Sequence, residues 1–255
     1  MPTLEIPGRF NRSTAALRDP AAAEESALFL IRHLCRMLGV ADLSRHEVLD
    51  VGCGTKFTQA FINHGLPIKR YVGVDVYADM ITFLRENVAD PRFEYHHVDV
   101  RNEAYNPDAP PMTVDTDLGV GDSTFDLIWL FSVFTHLAPS DYHTMLRLLR
   151  RYIRRDGRLI YTLFIDELTD GGYGYIDQME RSLRAADTEA AIGRNRAAWV
   201  RDVKPFVDVD PEHPLRWALY SREYAYELVE GTGWMPLELL PPNEFAQHHF
   251  ICAPA

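Results

Sequence analysis

The chain has few cysteines and no long apolar run. Its three cysteines are widely spaced, and none stands in a Cys-x-x-Cys or Cys/His pattern that binds zinc: Cys35, Cys53 and Cys252. The longest apolar stretch, at residues 125–134, contains polar residues and is too short to span a bilayer. The N-terminus lacks the apolar core of a signal peptide. These absences predict a cytoplasmic protein with reduced thiols and no membrane span.

The chain also has fewer basic residues than acidic ones. The sequence has 26 Lys and Arg against 37 Asp and Glu, which gives a net charge of −11 over 255 residues. Such a surface repels phosphate backbones at long range, and this argues against a nucleic-acid substrate. The length accommodates one sizeable α/β core, so we predict a single domain over residues 1–255.

Short apolar runs alternate with helical patterns through most of the chain. The predicted strands are residues 47–51, 71–75, 93–98, 125–131, 158–165, 235–240 and 247–252. The predicted helices are residues 21–38, 57–64, 78–88, 140–155 and 222–230. Continuous rather than alternating apolar strands, separated by helices, predict a parallel sheet that is covered on both faces, and hence a doubly wound α/β fold.

Three segments fall outside this alternation. Residues 1–40 form an N-terminal helical segment ahead of the first strand. Residues 166–215, with a Gly/Tyr-rich start and an acidic, proline-bearing end, predict an insertion or lid. Residues 106–121 carry three prolines and predict a second, shorter insertion.

The first strand runs into a glycine-rich turn, Asp50-Val51-Gly52-Cys53-Gly54-Thr55-Lys56. Glycines let the backbone turn sharply and approach a ligand, and the N–H groups at the start of the next helix point toward it. The second strand ends in Asp75, a carboxylate that can accept hydrogen bonds from both hydroxyls of a ribose. The combination predicts a cofactor that contains adenosine. Cys53 is interpreted as a small residue in a tight turn, with a reactive thiol as the alternative.

The wider pattern resembles one enzyme family. A dinucleotide site needs G-x-G-x-x-G, and Phe57 stands where the third glycine belongs. VLDVGCGT instead resembles the first motif of class I S-adenosylmethionine-dependent methyltransferases. GVDVYADMI, HHVDV, FDLIWLFSVFTHL and LRLLRRYIRRDGRLIYTLFI resemble the motifs that follow it, in the same order. The resemblance covers about residues 28–165 and 220–252. DVRNEAYNP and FSVFTHL are similar to bacterial methyltransferases of sugar and cell-surface biosynthesis.

This resemblance implies a seven-stranded, mostly parallel Rossmann-like sheet with helices on both faces and an antiparallel last strand. It implies S-adenosylmethionine as the cofactor. It also implies a set of binding residues, with Asp75 at the ribose, Val76 and Tyr77 beside the adenine, and Asp99 at the adenine edge. The other implied residues are Asp50, Gly52, Cys53, Gly54, Val100, Phe131 and Ser132.

Lys56 departs from the family's pattern, D-x-G-C-G-x-G, whose last glycine it replaces. A lysine lacks a glycine's backbone freedom, so the methionine end of the cofactor is expected to be bound differently. Two interpretations stay open. Lys56 pairs with the carboxylate of the cofactor, or it is a solvated lysine at a helix start, which the sequence alone favours.

The acceptor side offers one base. Methyl transfer to an alcohol requires loss of the acceptor proton, and histidine is suited to removing it near neutral pH. His136 follows the fourth strand and is our predicted base. The alternative is that it binds backbone and orders its loop. Asp166 and Glu167 follow the fifth strand and bind an acceptor or metal, or serve as capping acids.

Several residue sets have alternative interpretations. Five aromatics line a sugar-stacking cleft or belong to the core: Tyr173, Tyr175, Trp199, Trp217 and Tyr220. Five arginines at helical spacing form a binding face or a solvated one: Arg147, Arg150, Arg151, Arg154 and Arg155. The histidine pairs at 96–97 and 248–249 lie in strands, where adjacent side chains point to opposite faces, so no metal site is predicted.

The sequence therefore predicts a methyltransferase that modifies a hydroxyl oxygen of a small molecule or glycan. An N-methyltransferase on the same scaffold, a nicotinamide-dependent oxidoreductase and a non-catalytic cofactor-binding protein are the alternatives. The sequence leaves the oligomeric state open.

Overall fold

The computed structural model describes residues 3–10, 19–102, 105–185, 205–209, 215, 217–242 and 247–255. It contains two compact units. The first comprises residues 1–111 and 116–129, and the second comprises residues 112–115 and 130–255. Trp199 and residues 186–204 of the predicted insertion lie outside the described residues.

The first unit contains a parallel sheet with strand order β3-β2-β1-β4. All of β4 except its last residue belongs to this unit. Its elements are α1 (Pro20–Leu38), β1 (Leu43–Val51), α2 (Lys56–His64), β2 (Ile68–Asp75), α3 (Ala78–Asn87), β3 (Phe93–His97) and β4 (Phe125–Leu130). Because Val51 lies opposite Val74 and Asp75 opposite His97, β1, β2 and β3 end at the same edge of the sheet.

Helix α1 has a defined start and end. The Asp19 side chain accepts a hydrogen bond from the Ala22 amide at 3.2 Å, and Pro20 occupies the first turn. Gly39 ends the helix in the left-handed conformation and donates to the Arg36 carbonyl. The buried positions recur at helical spacing and give the helix one apolar face: Ala23, Ala27, Leu30, Ile31 and Leu34.

The core of the first unit is aromatic. Four consecutive residues of β2, from 71 to 74, are buried, which requires that both faces of the strand are covered. The Tyr71 ring lies 5.4 Å from Phe93, 5.9 Å from Phe61 and 6.3 Å from Trp129, measured between ring centroids. The strand that ends in Asp75 is therefore held rigidly by packing.

The second unit is built around β5. Its elements are α4 (Pro139–Leu149), β5 (Ile153–Ile165), α5 (Tyr175–Ala185), β6 (Phe206–Asp208), β7 (Ala218–Tyr220), α6 (Arg222–Glu227), β8 (Trp234–Leu240) and β9 (His248–Pro254). Strand β9 runs antiparallel to both β5 and β8. Strand β7 pairs in parallel with the last two residues of β5, and β6 pairs antiparallel with β7.

The predicted fold class is confirmed, because the structure has the parallel strand series, the alternating helices and the antiparallel last strand of a Rossmann-like α/β fold. Strand β6 lies in the predicted insertion and β7 follows it, and neither strand was predicted. No helix among the described residues is both long and apolar enough to cross a membrane.

The predicted helix over residues 140–155 is wrong at its C-terminal end. Helix α4 stops at Leu149, and β5 begins at Ile153. The arginines between residues 147 and 155 supplied the helical period, but the buried Tyr152 lies just before the strand and the buried Ile153 begins it. These arginines therefore share no helix face. Arg150 donates to the Gly233 carbonyl at 2.8 Å instead.

Candidate functional site

The turn after β1 is pinned to the end of β2. Gly52 and Gly54 have φ values of 73° and 51°, which L-residues rarely adopt. The Val74 carbonyl accepts hydrogen bonds from the amides of Gly52 at 2.8 Å and Cys53 at 3.1 Å. A Cβ atom on Gly54 would meet no atom within 4 Å, so the space beside the turn is open.

Asp75 connects three loops at this edge of the sheet. Its Oδ2 accepts from the Gly54 amide and its Oδ1 from the Tyr77 amide, both at 3.0 Å. Its main-chain carbonyl accepts from the Val98 amide at 3.0 Å. A carboxylate oxygen can accept two hydrogen bonds, so these backbone contacts are compatible with donors from a ligand's ribose.

Aromatic rings surround the residue predicted to lie beside the adenine. The Tyr77 ring meets Phe10 edge-on at 5.5 Å and stacks with Tyr105 at 6.0 Å. Neither Phe10 nor Tyr105 was predicted, because both lie in segments without strand or helix periodicity. The Val76 carbonyl lies 3.2 Å from His97 Nε2.

The third loop carries Asp99 and Val100. Asp99 is exposed, and its Oδ1 accepts from Asn106 Nδ2 at 3.0 Å. Val100 is half-buried and donates its amide to the Val98 carbonyl at 3.0 Å. Asn106 lies at the start of the predicted second insertion and orients Asp99, a role that its sequence context did not indicate.

Two predicted cofactor residues have buried side chains. Asp50 is 1% exposed, and its Oδ2 accepts the Tyr71 hydroxyl hydrogen bond at 2.5 Å. Burial raises the pKa of Asp50 to about 7, although the Tyr71 hydrogen bond opposes the shift. Burial also raises the pKa of the Cys53 thiol well above its usual value, which keeps the thiol protonated. This supports the interpretation of Cys53 as a packing residue.

The second unit holds Phe131 and Ser132. Ser132 has a φ of 58°, an uncommon conformation for a residue other than glycine. Its amide donates to Thr162 Oγ1 at 2.8 Å, and its hydroxyl accepts from Gln247 Nε2 at 2.8 Å. The Phe131 ring meets the His249 ring at 5.9 Å. These contacts fix the backbone immediately after β4.

His136 lies in the second unit, in a 3₁₀ turn at Phe134–His136. Its Nδ1 is 3.2 Å from the Leu215 carbonyl, and its ring lies 5.8 Å from that of Trp217. A carbonyl oxygen only accepts hydrogen bonds, so Nδ1 carries the proton in this contact. In the neutral ring the lone pair is then on Nε2, the state that a general base requires.

Glu167 forms an ion cluster with Arg222, which the sequence did not single out, and with His248 of the histidine pair noted in the sequence. Arg222 donates to it through Nε at 2.8 Å and Nη2 at 2.5 Å, and His248 Nε2 lies 2.7 Å from Oε1. Burial acts to raise the pKa of Glu167, but these hydrogen bonds outweigh it and lower the pKa to about 2. Asp166, beside it, has its pKa raised by burial. Glu167 therefore acts as an ion-pair partner.

The aromatic residues predicted to line a cleft or the core differ in burial where the structure describes them. Tyr175 and Tyr220 are buried, and the Tyr220 hydroxyl donates to the Leu137 carbonyl, so the core alternative holds for both. Trp217 packs partly buried on the cluster around Phe164 and Tyr175. Tyr173 is 41% exposed. Among the described residues, no group of three or more His, Cys, Asp or Glu is arranged to hold a metal ion.

Comparison with known proteins identifies a family for part of the chain. The family model described as a methyltransferase domain matches residues 48–157. Malonyl-acyl-carrier-protein O-methyltransferase of Acetivibrio thermocellus is 27% identical over 135 residues, which are 48% of this chain and 48% of that protein. The match thus spans about half the length of this curated relative.

Solved structures share the fold. A protein from Pyrococcus horikoshii OT3 superposes with a TM-score of 0.59 at 14% identity, covering 98% of this chain and 100% of that one. Magnesium protoporphyrin IX methyltransferase from Synechocystis PCC 6803, solved with bound SAH, superposes with a TM-score of 0.54 at 10% identity, covering 97% and 92%.

Residues 48–157 form a class I S-adenosylmethionine-dependent methyltransferase domain. The predicted methyltransferase family is confirmed for this segment. The first unit fits this cofactor on its own geometry, because it provides the open space beside Gly54, the ribose acceptor Asp75 and the ring of Tyr77. The matched residues 48–157 of this chain also include Ser132 and His136.

Proposed function

We propose that this methyltransferase transfers a methyl group to an oxygen atom of a small-molecule or glycan acceptor, with His136 as the general base. The observation that carries the proposal is the hydrogen bond of His136 Nδ1 to the Leu215 carbonyl. That bond selects the tautomer in which Nε2 accepts a proton, and it fixes the plane of the ring. The alternative from the sequence, that His136 binds backbone, is compatible with this role because the two nitrogens act separately.

The cofactor supplies a methyl group on a sulfonium, which is already a good leaving group. The chain's own residues then bind and orient. In this proposal Asp75 accepts the ribose hydroxyls, Val76 and Tyr77 lie against the adenine, and Asp99 accepts from the adenine edge. Gly52 and Gly54 allow close approach of the turn backbone. Val100, Phe131 and Ser132 complete the proposed set.

Asp50 and Cys53 have a different proposed role. Both side chains are buried, so we assign them to holding the glycine turn in place. Asp50 does this through Tyr71 on the neighbouring strand, and Cys53 by packing against Gly73. Their proposed contribution to cofactor affinity is therefore indirect.

The acceptor side requires positioning and one proton transfer. Methyl transfer is an in-line displacement, for which a protein must chiefly align the two atoms and exclude water. A positioned base adds about 10²- to 10⁴-fold when the acceptor is a hydroxyl. We propose that residues 166–215 cover the acceptor as an insertion on a single methyltransferase domain. The family match supports one domain, because residues 48–157 extend from the first unit into the second.

Oxygen is preferred over nitrogen because the curated relative is an O-methyltransferase. The hydroxyl and glycan parts of the proposal come from the similarity of DVRNEAYNP and FSVFTHL to sugar-modifying methyltransferases. An N-methyltransferase is the second candidate, and it shares every cofactor contact described above.

The test measures S-adenosylhomocysteine, which forms whichever acceptor is methylated. Wild type, His136→Ala and the control His143→Ala are incubated with sugar, phenol, carboxylic acid and amine acceptors, and the methylated atom is located by NMR. We expect an oxygen product and a loss of about 10²- to 10⁴-fold in kcat for His136→Ala alone, with cofactor affinity unchanged. A His136→Ala rate within a few-fold of wild type contradicts the base assignment. A nitrogen product contradicts the choice of acceptor atom.

A further inference from the structure

We infer that Lys56 binds the carboxylate of the methionine part of S-adenosylmethionine, held for this task by Ser26 of helix α1. The inference rests on the proposed use of that cofactor by the first unit, and adds a residue that gives specificity for its amino-acid end. The family pattern has a glycine at this position, so the contact is a property of this chain.

Lys56 is not the solvated lysine that the sequence favoured. Its side chain is half-buried, and its Nζ donates to Ser26 Oγ at 2.7 Å. Burial lowers the pKa of Lys56 to about 8. Among the described residues, no carboxylate lies within ion-pair distance of its Nζ, and Ser26 is a neutral partner. The charge of Lys56 is therefore partly removed from water, with no negative charge beside it in the part of the chain that the structure describes.

The helix that begins at Lys56 makes this position still less favourable for a cation. Helix α2 has no acidic residue in its first turn, and the Thr55 side chain makes no capping hydrogen bond. The unpaired N–H groups at a helix N-terminus carry a partial positive charge, which repels a cation and attracts an anion. An ammonium group and a helix N-terminus thus both favour an anionic ligand at this turn.

The place of Lys56 in the turn identifies the anion. Lys56 follows Gly54 by two residues, and the Gly54 amide is bonded to Asp75, the proposed ribose acceptor. A ligand whose ribose is bound by Asp75 extends its 5′ substituent away from the ribose, and in this cofactor that substituent ends in a carboxylate. Lys69 gives the contrast, because it is more exposed and already pairs with Glu47 at 2.7 Å.

The experiment compares S-adenosylmethionine with decarboxylated S-adenosylmethionine, which keeps the adenosine, sulfonium and amine. Calorimetric titration is carried out on wild type, Lys56→Met, Lys56→Arg and the control Lys69→Met. We expect wild type to bind the carboxylated ligand about 10- to 100-fold more tightly, the range of a charge-assisted hydrogen bond. Lys56→Met should abolish this preference and leave affinity for the decarboxylated ligand within about three-fold. Lys56→Arg should retain part of the preference for the carboxylated ligand, and Lys69→Met should retain the full preference.

Equal affinity of wild type for the two ligands overturns the inference, and this result needs no variant to fold. Lys56→Met that weakens both ligands to the same extent overturns it as well, because the residue is then structural. These outcomes differ from failure of the proposed function, in which wild type binds neither ligand. Ser26→Ala tests whether Ser26 holds Lys56 in place. We expect this variant to lose less of the preference for the carboxylated ligand than Lys56→Met does. An unchanged preference contradicts the role assigned to Ser26.

Discussion

Asp50 and Asp75 lie at the carboxyl ends of neighbouring strands of one sheet, yet one is enclosed and the other is partly exposed. Asp75 is partly exposed and accepts main-chain amides from two loops. Asp50 is enclosed, and it accepts a hydrogen bond from the Tyr71 hydroxyl. A carboxyl group enclosed in this way favours its neutral form, which can donate as well as accept a hydrogen bond. We therefore assign ligand binding to Asp75 and support of the glycine turn to Asp50.

Asp50→Asn tests the environment of the buried acid. The pKa of Asp50 is about 7 in the folded state and near 4 in the unfolded state, so the folded state binds more protons between these values. The free energy of unfolding therefore falls as pH rises from 4 to 7, and this dependence is lost in Asp50→Asn. We expect the variant to gain roughly 2 to 4 kcal/mol relative to wild type across that interval. Urea unfolding at several pH values measures the difference.

The variant keeps an oxygen that can accept from Tyr71, so its packing is matched to wild type. A difference between the two proteins that stays constant with pH would show that Asp50 is already ionised at pH 4.

Some site residues were predictable from the sequence for a clear physical reason. Gly52, Gly54 and Asp75 follow directly from strands whose ends meet at one sheet edge, so their spacing along the chain fixes their proximity. The burial of Asp50 was not predictable, because it depends on Tyr71 from another strand. Tyr105 and Ser26 come from distant segments, and no local pattern connects them with the turn.

Strand β2 contains a glycine that makes room for the turn of β1. A Cβ atom on Gly73 would lie 2.9 Å from both Cys53 Sγ and Tyr95 Cδ1, closer than real Cβ contacts allow. Cys53 and Tyr95 are buried, and Tyr95 also donates to Thr58 Oγ1 at 3.0 Å. Neither side chain can move without disturbing its neighbours, so the packing of β2 requires a residue without a side chain at Gly73.

Gly73→Ala tests that dependence. We expect a loss of about 1 to 3 kcal/mol in the free energy of unfolding, the usual cost of an extra methyl group in a packed core, and weaker cofactor binding as Cys53 shifts. Gly8→Ala is the matched control, since a Cβ atom there meets nothing within 4 Å. Equal stability of the two variants would mean that the turn and β2 are packed less tightly than the structure shows.

At the scale of elements, the sequence predicts the regular part of the fold well. Short, mainly apolar runs gave the parallel strands, because a strand buried on both faces needs side chains that are mostly apolar. The boundary between α4 and β5 was wrong because arginines continued a helical period into the strand. Strands β6 and β7 have three residues each, too few for any periodicity.

For the molecule as a whole, fold and cofactor class are better determined than the acceptor. The net charge of −11 argues against a nucleic-acid partner, and the family match covers the cofactor motifs. The acceptor depends on segments such as residues 166–215, which differ from the parallel pattern and carry no motif. Every proposal above rests on the first unit's use of S-adenosylmethionine through Asp75.

That central claim is tested most directly by calorimetric titration of wild type, Asp75→Asn and the exposed control Asp79→Asn with S-adenosylmethionine, S-adenosylhomocysteine and NAD. The amide of Asp75→Asn has one acceptor oxygen where the carboxylate has two, so it loses a charge-assisted contact. We expect wild type and Asp79→Asn to bind both adenosyl ligands and not NAD, with Asp75→Asn weaker by about 10-fold or more. Binding of NAD alone, or equal affinities of all three proteins for S-adenosylhomocysteine, would contradict the account.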